Sequence, residues 1–418
     1  MVNDLNRQLH QASTGKGINK FYFLPEYLPI NKAEANKQAR KKKGPVIVVI
    51  PEMYYGSPAP CTYIRLFIPL MSPTFNAAFE VRVATLKSAL PISADAVIIN
   101  RVPCEHVSEL SGILTHLRQT GAKLIYDIDD QLLDLADSHP EASVYTNRQA
   151  VVKELLSAAD LVWVSTGPLA EALSTLCKKI EVFENYLDLN LWEKKGVPPS
   201  PLSKGSKKFK ILYMGSTTHS ADLNLVLDAL NKLYSEGKEF ELYLIGISTN
   251  APQHSWIKVI QPPALASNNN YPEFMRWLRS LNMFDLGIAP LEENRFNRCK
   301  SAIKFWDYSS LGIPTLASDV EAYKNIIVDG ENGYLVNNNT DDWYRKLGNA
   351  INNKTQLANV VINAKATLKK LHTQINGAER RKQAVIKLLN GSVNVNIDEF
   401  SQVIAPVKRE ANVHSQRS

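Results

Sequence analysis

No apolar run in this chain reaches the roughly 18–20 residues that a membrane-spanning helix needs. Cysteine is scarce: Cys61, Cys104, Cys177 and Cys299 are the only four, and no CxxC pair occurs among them. That removes a disulfide framework and a cysteine-based zinc site, and leaves four reduced thiols. The eight histidines show neither HExxH nor HxxxH spacing, which argues against a zinc hydrolase. GxSxG, Walker A and GxGxxG signatures are absent too. The opening MVNDLNRQLHQ lacks the apolar core of a secretion signal. The expectation is a cytoplasmic protein.

What is present describes a globular protein with more than one core. Hydrophobic residues make up 44% and charged residues 21%, and 418 residues divide naturally into two domains. The net charge of +7 is unevenly placed: residues 1–44 hold nine basic and three acidic side chains, so +6 lies there. A nucleic-acid-binding enzyme carries its charge along a groove of the folded body, so this distribution argues against such a partner. The run KQARKKK (37–43) is read either as a contact to anionic lipid at the inner membrane face or another partner, or as a solvated arm.

After Lys43 the texture changes. GPVIVVIP (44–51), ADAVIINR (94–101), AKLIYDID (122–129), DLVWVST (160–166) and IEVFEN (180–185) read as strands, with helices over Glu105–Thr120 and Asn147–Ala159. EKKGVPPSPLSKGSKK (193–208) interrupts the pattern as a linker segment. Strands resume at 209–216, 240–247, 257–261, 284–290, 314–318 and 333–336, with helices between them at 221–236, 271–282, 300–311 and 340–352. One long polar helix is expected over 355–389. The division is a basic extension (1–44), an N-terminal Rossmann-like domain (45–195), a linker (196–208), a second α/β domain (209–354), a C-terminal helix (355–390) and a weakly structured tail (391–418). Such alternation builds parallel sheets, whose ligands collect at the carboxyl ends of the strands.

The stretch FNRCKSAIKFWDYSSLGIPTLAS (296–318) carries the most chemistry. On a continuous helix, Lys300, Lys304 and Asp307 share a face, and Ser301 lies near the N-terminus, where orphan N–H groups favour an anion. Two ammonium groups, a hydroxyl and backbone donors suit a diphosphate, and Asp307 suits ribose hydroxyls; a solvated face of charge pairs is the alternative. Arg295 and Arg298 are further phosphate candidates. Trp306 and Trp343 read as core. Asp127, Asp129 and Asp130 end a strand. Asp129 and Asp130 are read either as groups that orient an acceptor hydroxyl and take its proton, or as a helix cap (Asp130) beside an exposed neighbour.

The order strand, APL, KSxxKxxDY, GIPTLAS, GENGYLV and Trp resembles the donor half of the family four glycosyltransferases, in particular a branch of bacterial surface-polysaccharide and rhamnan assembly. YMGSTTHSADLNLVLDAL (213–230) is similar to that family's first donor strand and glycine turn, with Gly215, Ser216, His219 and Asp222. PEMYYGSPAPCTYIRL (51–66) is similar to its acceptor-side loop, with Gly56 and Arg65; Arg101 is a further acceptor-side candidate. The resemblance implies a GT-B fold of two Rossmann-like domains facing a cleft, a nucleotide-diphosphate sugar as co-substrate and no other cofactor. It also implies a glycan or glycolipid acceptor, transfer with retention and no bound metal. One departure is plain: the family's two glutamates with seven residues between them become Cys299 and Asp307, with Glu292 or Glu293 as possible substitutes. A non-catalytic scaffold subunit, a sugar-nucleotide epimerase and a DNA-modifying glucosyltransferase are the competing readings.

Overall fold

The computed structural model describes residues 44–54, 57–86, 93–135, 139–185, 208–215, 220–246, 253–267, 270–371 and 374–391. The basic arm, Gly56, Ser216, His219, nearly all of the linker and the tail from 392 onward lie outside the described residues.

Two six-stranded parallel sheets form the molecule. The first runs in the order Glu80–Val83, Val46–Ile50, Ala96–Asn100, Lys123–Ile128, Leu161–Val164, Ile180–Val182. Its central strands, such as VIVVI and AVIIN, are apolar along their length because helices cover both faces. Glu80–Val83 is absent from the sequence reading. It is an edge strand, half-buried, with Arg82 paired to Glu80 at 2.7 Å, so it lacks a continuous apolar run. The second sheet runs Ile257–Ile260, Phe240–Ile245, Phe209–Met214, Leu286–Ala289, Thr315–Ser318, Tyr334–Val336.

Strand order reverses once in each sheet, between Val46–Ile50 and Ala96–Asn100 in the first and between Phe209–Met214 and Leu286–Ala289 in the second. At such switch points the following helices diverge to opposite faces, which opens a crevice beyond the carboxyl ends of those strands.

Three helical pieces run on without a break after Pro60: Pro60–Thr62, the π-turn Tyr63–Phe67 and Ile68–Leu70. Pro69 has no N–H, so the carbonyl of Arg65 cannot receive its α-helical bond, and the Ile68 N–H reaches Tyr63 instead. This places Arg65 in an inward-facing turn.

The helix expected over 300–311 starts later, at Ile303, and ends at Leu311 with Gly312 in the left-handed region (φ 76°). Tyr308 anchors it, donating to the Ile288 carbonyl at 3.0 Å and accepting from the Met214 N–H at 3.2 Å. The Tyr308 ring lies on Gly287, where a Cβ would stand 2.5 Å from two ring atoms. Gly287→Ala is therefore expected to displace this helix and cost about 1–3 kcal/mol in a urea titration. An unchanged midpoint would contradict the close contact.

Instead of one helix over 355–389 there are two, Lys354–Leu371 and Gln374–Leu389. The first packs on helix Ile303–Leu311, whereas the second lies against Ile68–Leu70 and Pro73–Asn76 of the first domain. The change of partner, which a helical period cannot express, breaks the expected single rod.

Candidate functional site

At the first switch point Arg101 follows strand Ala96–Asn100 with φ 50°, a left-handed conformation rare outside glycine. The turn brings its guanidinium over the strand ends, where it donates to Glu52 at 2.7 Å, Asp130 at 3.0 Å, Asp129 and the Tyr145 hydroxyl at 2.8 Å. These bonds offset the backbone strain of roughly 1–3 kcal/mol. Glu52 is wholly buried, and burial pushes its carboxyl above the usual range, against the pull of Arg101. Arg101 thus uses its donors on protein groups, three carboxylates and one hydroxyl. Asp130 is the more open, with its side chain 28% exposed against 10% for Asp129. The cap alternative for Asp130 does not survive: its carbonyl closes a turn with the Leu132 N–H, and the next helix, Ala142–Thr146, has Glu141 at its N-cap.

Arg65 is a correction. Its side chain is 0% exposed and forms a bidentate pair with Asp127, itself 0% exposed, through bonds of 2.6 and 2.9 Å. Its Nη1 donates to the Phe183 carbonyl and to Asn185 Oδ1, both at 2.9 Å. No surface of Arg65 is left for an acceptor.

At the second switch point, Gly215 follows strand Phe209–Met214, and its N–H bonds the Ile245 carbonyl at 3.1 Å. Asp222, in the first turn of helix Ser220–Ser235, is 5% exposed and accepts the Glu292 N–H at 2.9 Å. That bond ties the loop after strand Leu286–Ala289 to the helix terminus. Glu292 and Glu293 themselves are exposed.

The loop then forms a short helix, Arg295–Arg298, capped by Asn294. Because the next helix starts only at Ile303, Lys300 is not on its face; its ammonium lies 4.7 Å from the Phe296 ring centroid. Lys304 and Asp307 do share a face one turn apart. Lys304 is 8% exposed, with its ammonium 5.3 Å from the Tyr213 ring centroid. Burial lowers its pKa to about 8, with Lys300 adding to the shift and Asp222 and Asp307 opposing it. Burial likewise raises Asp307 to about 8, against the attraction of Lys304. An ammonium held this way lacks a full counter-charge, and a diphosphate would supply one.

The sign of the pH effect follows. Below about pH 8 Lys304 is charged and attracts an anion; above it Lys304 loses its proton and Asp307 gains a negative charge. Both changes would weaken the binding of a diphosphate there. Nucleoside diphosphate affinity is expected to stay level near pH 7 and to fall above pH 8, by up to about tenfold per unit for each of the two protons lost. Calorimetric titration from pH 7 to 9.5, above the second phosphate ionisation of ~6, would read it. A flat profile would remove Lys304 from the site.

The two switch points meet along a hydrogen-bonded junction. Thr166 Oγ1 donates to the Cys299 carbonyl at 2.8 Å, and Asn185 Nδ2 donates to Ser301 Oγ at 2.9 Å. Arg298 reaches the exposed Glu171 at 3.4 Å, while Arg295 is exposed. The Cys299 thiol packs into the apolar core of the first domain, and burial pushes it up to about 11. It is a neutral packing group at the place where the resembled family has an acid. His139 belongs to the junction as well, its ring 5.1 Å from that of Phe296. Its Nδ1 accepts the Glu141 N–H at 3.2 Å, so the neutral ring carries its proton on Nε2. A lone histidine offers no spacing signal, and Asn185 none either; only the fold reveals them.

Two parallel-sheet α/β domains whose strand ends meet across a junction are the GT-B architecture. Residues 208–353, the second domain, match the family profile of the glycosyl transferases group 1. HepE of Anabaena, solved with UDP-glucose, superposes with a TM-score of 0.58 at 14% identity over 82% of this chain and 100% of that one. A glycosyltransferase of Rickettsia africae gives 0.55 at 12%, covering 84% and 100%. Sucrose-phosphate synthase of Thermosynechococcus elongatus gives 0.52 at 14%, covering 73% and 78%. At these identities the likeness is one of fold. None of the curated proteins matches the chain in sequence.

Proposed function

We propose that the chain transfers a sugar from a nucleotide-diphosphate donor to a hydroxyl of a glycan or glycolipid. The observation that carries this reading is the buried ammonium of Lys304 at the second switch point, which forms no ion pair among the described residues, inside the stretch that matches the glycosyl transferases group 1. Lys304 and Lys300 meet the diphosphate, Asp307 the ribose, and the Gly215 turn lets the backbone approach closely. Ser216 and His219, just beyond that turn, complete the donor side. Lysines and helix N–H groups offset the phosphate charge, so the reading needs no metal and no cofactor besides the co-substrate. Across the junction Asp130, steadied with Asp129 by Arg101, takes the acceptor proton, and the Gly56 loop borders the acceptor. Retention of configuration, membership of family four and a role in bacterial surface-polysaccharide assembly extend the same proposal. So does a cytoplasmic location with the 37–43 run touching anionic lipid; no helix of the described residues is long and apolar enough to cross a membrane.

The test is protection against thermal unfolding by a panel of nucleoside diphosphates and their sugars, followed by product analysis with the sugar that binds. Protection without transfer to any acceptor, or slow hydrolysis, would leave a binding subunit. Absence of protection would overturn the donor reading.

A further inference from the structure

Ser301 belongs to the second domain, yet its hydroxyl oxygen accepts a hydrogen bond from the Asn185 side-chain amide of the first, at 2.9 Å. The orientation of that amide is imposed. Arg65 Nη1 donates to Asn185 Oδ1 at 2.9 Å, and a guanidinium can only donate, so Oδ1 must face Arg65 and the NH₂ must face Ser301. Arg65 is itself locked by the bidentate pair with Asp127 and by the Phe183 carbonyl. Asp127 accepts from Asn100 Nδ2 at 2.9 Å, and Asn100 Oδ1 accepts from Thr62 at 2.6 Å. Every link from Thr62 to Asn185 is buried. The series ends at a single polar group of the other domain.

A hydroxyl has one proton to give. With the Asn185 N–H taking one lone pair of Ser301 Oγ, that proton remains available to another acceptor, and Ser301 directly precedes Ala302, the N-cap of helix Ile303–Leu311. The orphan N–H groups and Lys304 also lie at that end. We infer that Asn185 is a positioning residue for the donor: its amide holds Ser301 as a hydrogen-bond donor to the diphosphate, so the first domain completes the anion site of the second. The inference rests on the proposed donor site and adds to it a residue from the other side of the junction. It also makes diphosphate affinity depend on the juxtaposition of the two domains.

Asn185→Asp provides a test in which stability and positioning separate. An aspartate keeps an acceptor for Arg65, which then faces two carboxylates, and it presents an acceptor to Ser301. The Ser301 proton then turns back toward residue 185 and is lost to the phosphate. With UDP, GDP and ADP as probes, and the one that wild type binds most tightly taken forward, Ser301→Ala is expected to weaken binding about tenfold. Asn185→Asp should weaken it at least as much, whereas Asn185→Ala, which leaves the Ser301 proton available to the phosphate, should weaken it less at a comparable or lower melting temperature. Asn185→Ala combined with Ser301→Ala should bind within about twofold of Ser301→Ala alone, because the two act through one hydroxyl. An Asn185→Asp variant with wild-type affinity, or additive losses in the double variant, would overturn the inference and leave the donor site standing. If wild type binds none of the three probes, the donor reading fails and this inference with it.

Discussion

Replacing Lys304 by methionine is expected to remove nucleoside diphosphate binding without loss of stability. The side chain is 8% exposed, and its ammonium has a ring face and no ion pair within reach among the described residues. Its lowered pKa means that the empty protein bears a cost for keeping the charge. Methionine matches the length and flexibility of the stem and carries no charge, so the empty protein should melt at the same temperature or higher. Hydrogen bonds to charged groups contribute about 1.5–3 kcal/mol each, which predicts a loss of roughly 100-fold in affinity. Calorimetric titration beside a melting curve reads both numbers. Retained affinity would sink the assignment of the helix face. Lost affinity with a large drop in melting temperature would instead make Lys304 a structural residue.

The second large effect is on folding. Arg65→Ala strips a donor from Asp127, from Asn185 and from the Phe183 carbonyl at once, all in a region closed to water. Removing one partner of a buried ion pair costs about 3–5 kcal/mol, because the remaining charge is stranded. Whole-protein stabilities are typically ~5–15 kcal/mol, so the variant is expected to lose a large fraction, read as a shift in urea midpoint. Arg82→Ala is the control: its pair with Glu80 is about one-third exposed on both sides and should matter by less than about 1 kcal/mol. Replacing Arg65 and Asp127 together by methionine and leucine should recover only the part due to the stranded charge, since Asn100, Asn185 and the Phe183 carbonyl stay unpaired. A cost for Arg65→Ala as small as that of the control would show the buried pair to be dispensable.

These two residues also mark what the amino-acid sequence discloses. Strands such as Val46–Ile50 and Ala96–Asn100 are legible because burial on both faces leaves no polar position to confuse the pattern. The edge strand Glu80–Val83 is not, since one side of it meets solvent. Lys304 and Asp307 are legible because their spacing is a property of the helix itself. Lys300 is misplaced by the same logic, which assumed a helix three residues longer than the one formed. Arg65 is illegible in a deeper sense. Its partners lie 62 and 120 positions away in the chain, and a lone arginine looks alike whether it waits for a substrate or is consumed by the fold. Cys299 shows the converse: the missing acid is visible in the sequence, and only the structure shows the thiol packed in the neighbouring core.

The return of helix Gln374–Leu389 to the first domain has a mechanical consequence. Lys354–Leu371 packs on the second domain and Gln374–Leu389 on the first, so the C-terminal helices clasp both bodies. Full separation of the two bodies would therefore require this helix to undock from Ile68–Leu70 and Pro73–Asn76, so its packing resists loss of the Asn185–Ser301 contact.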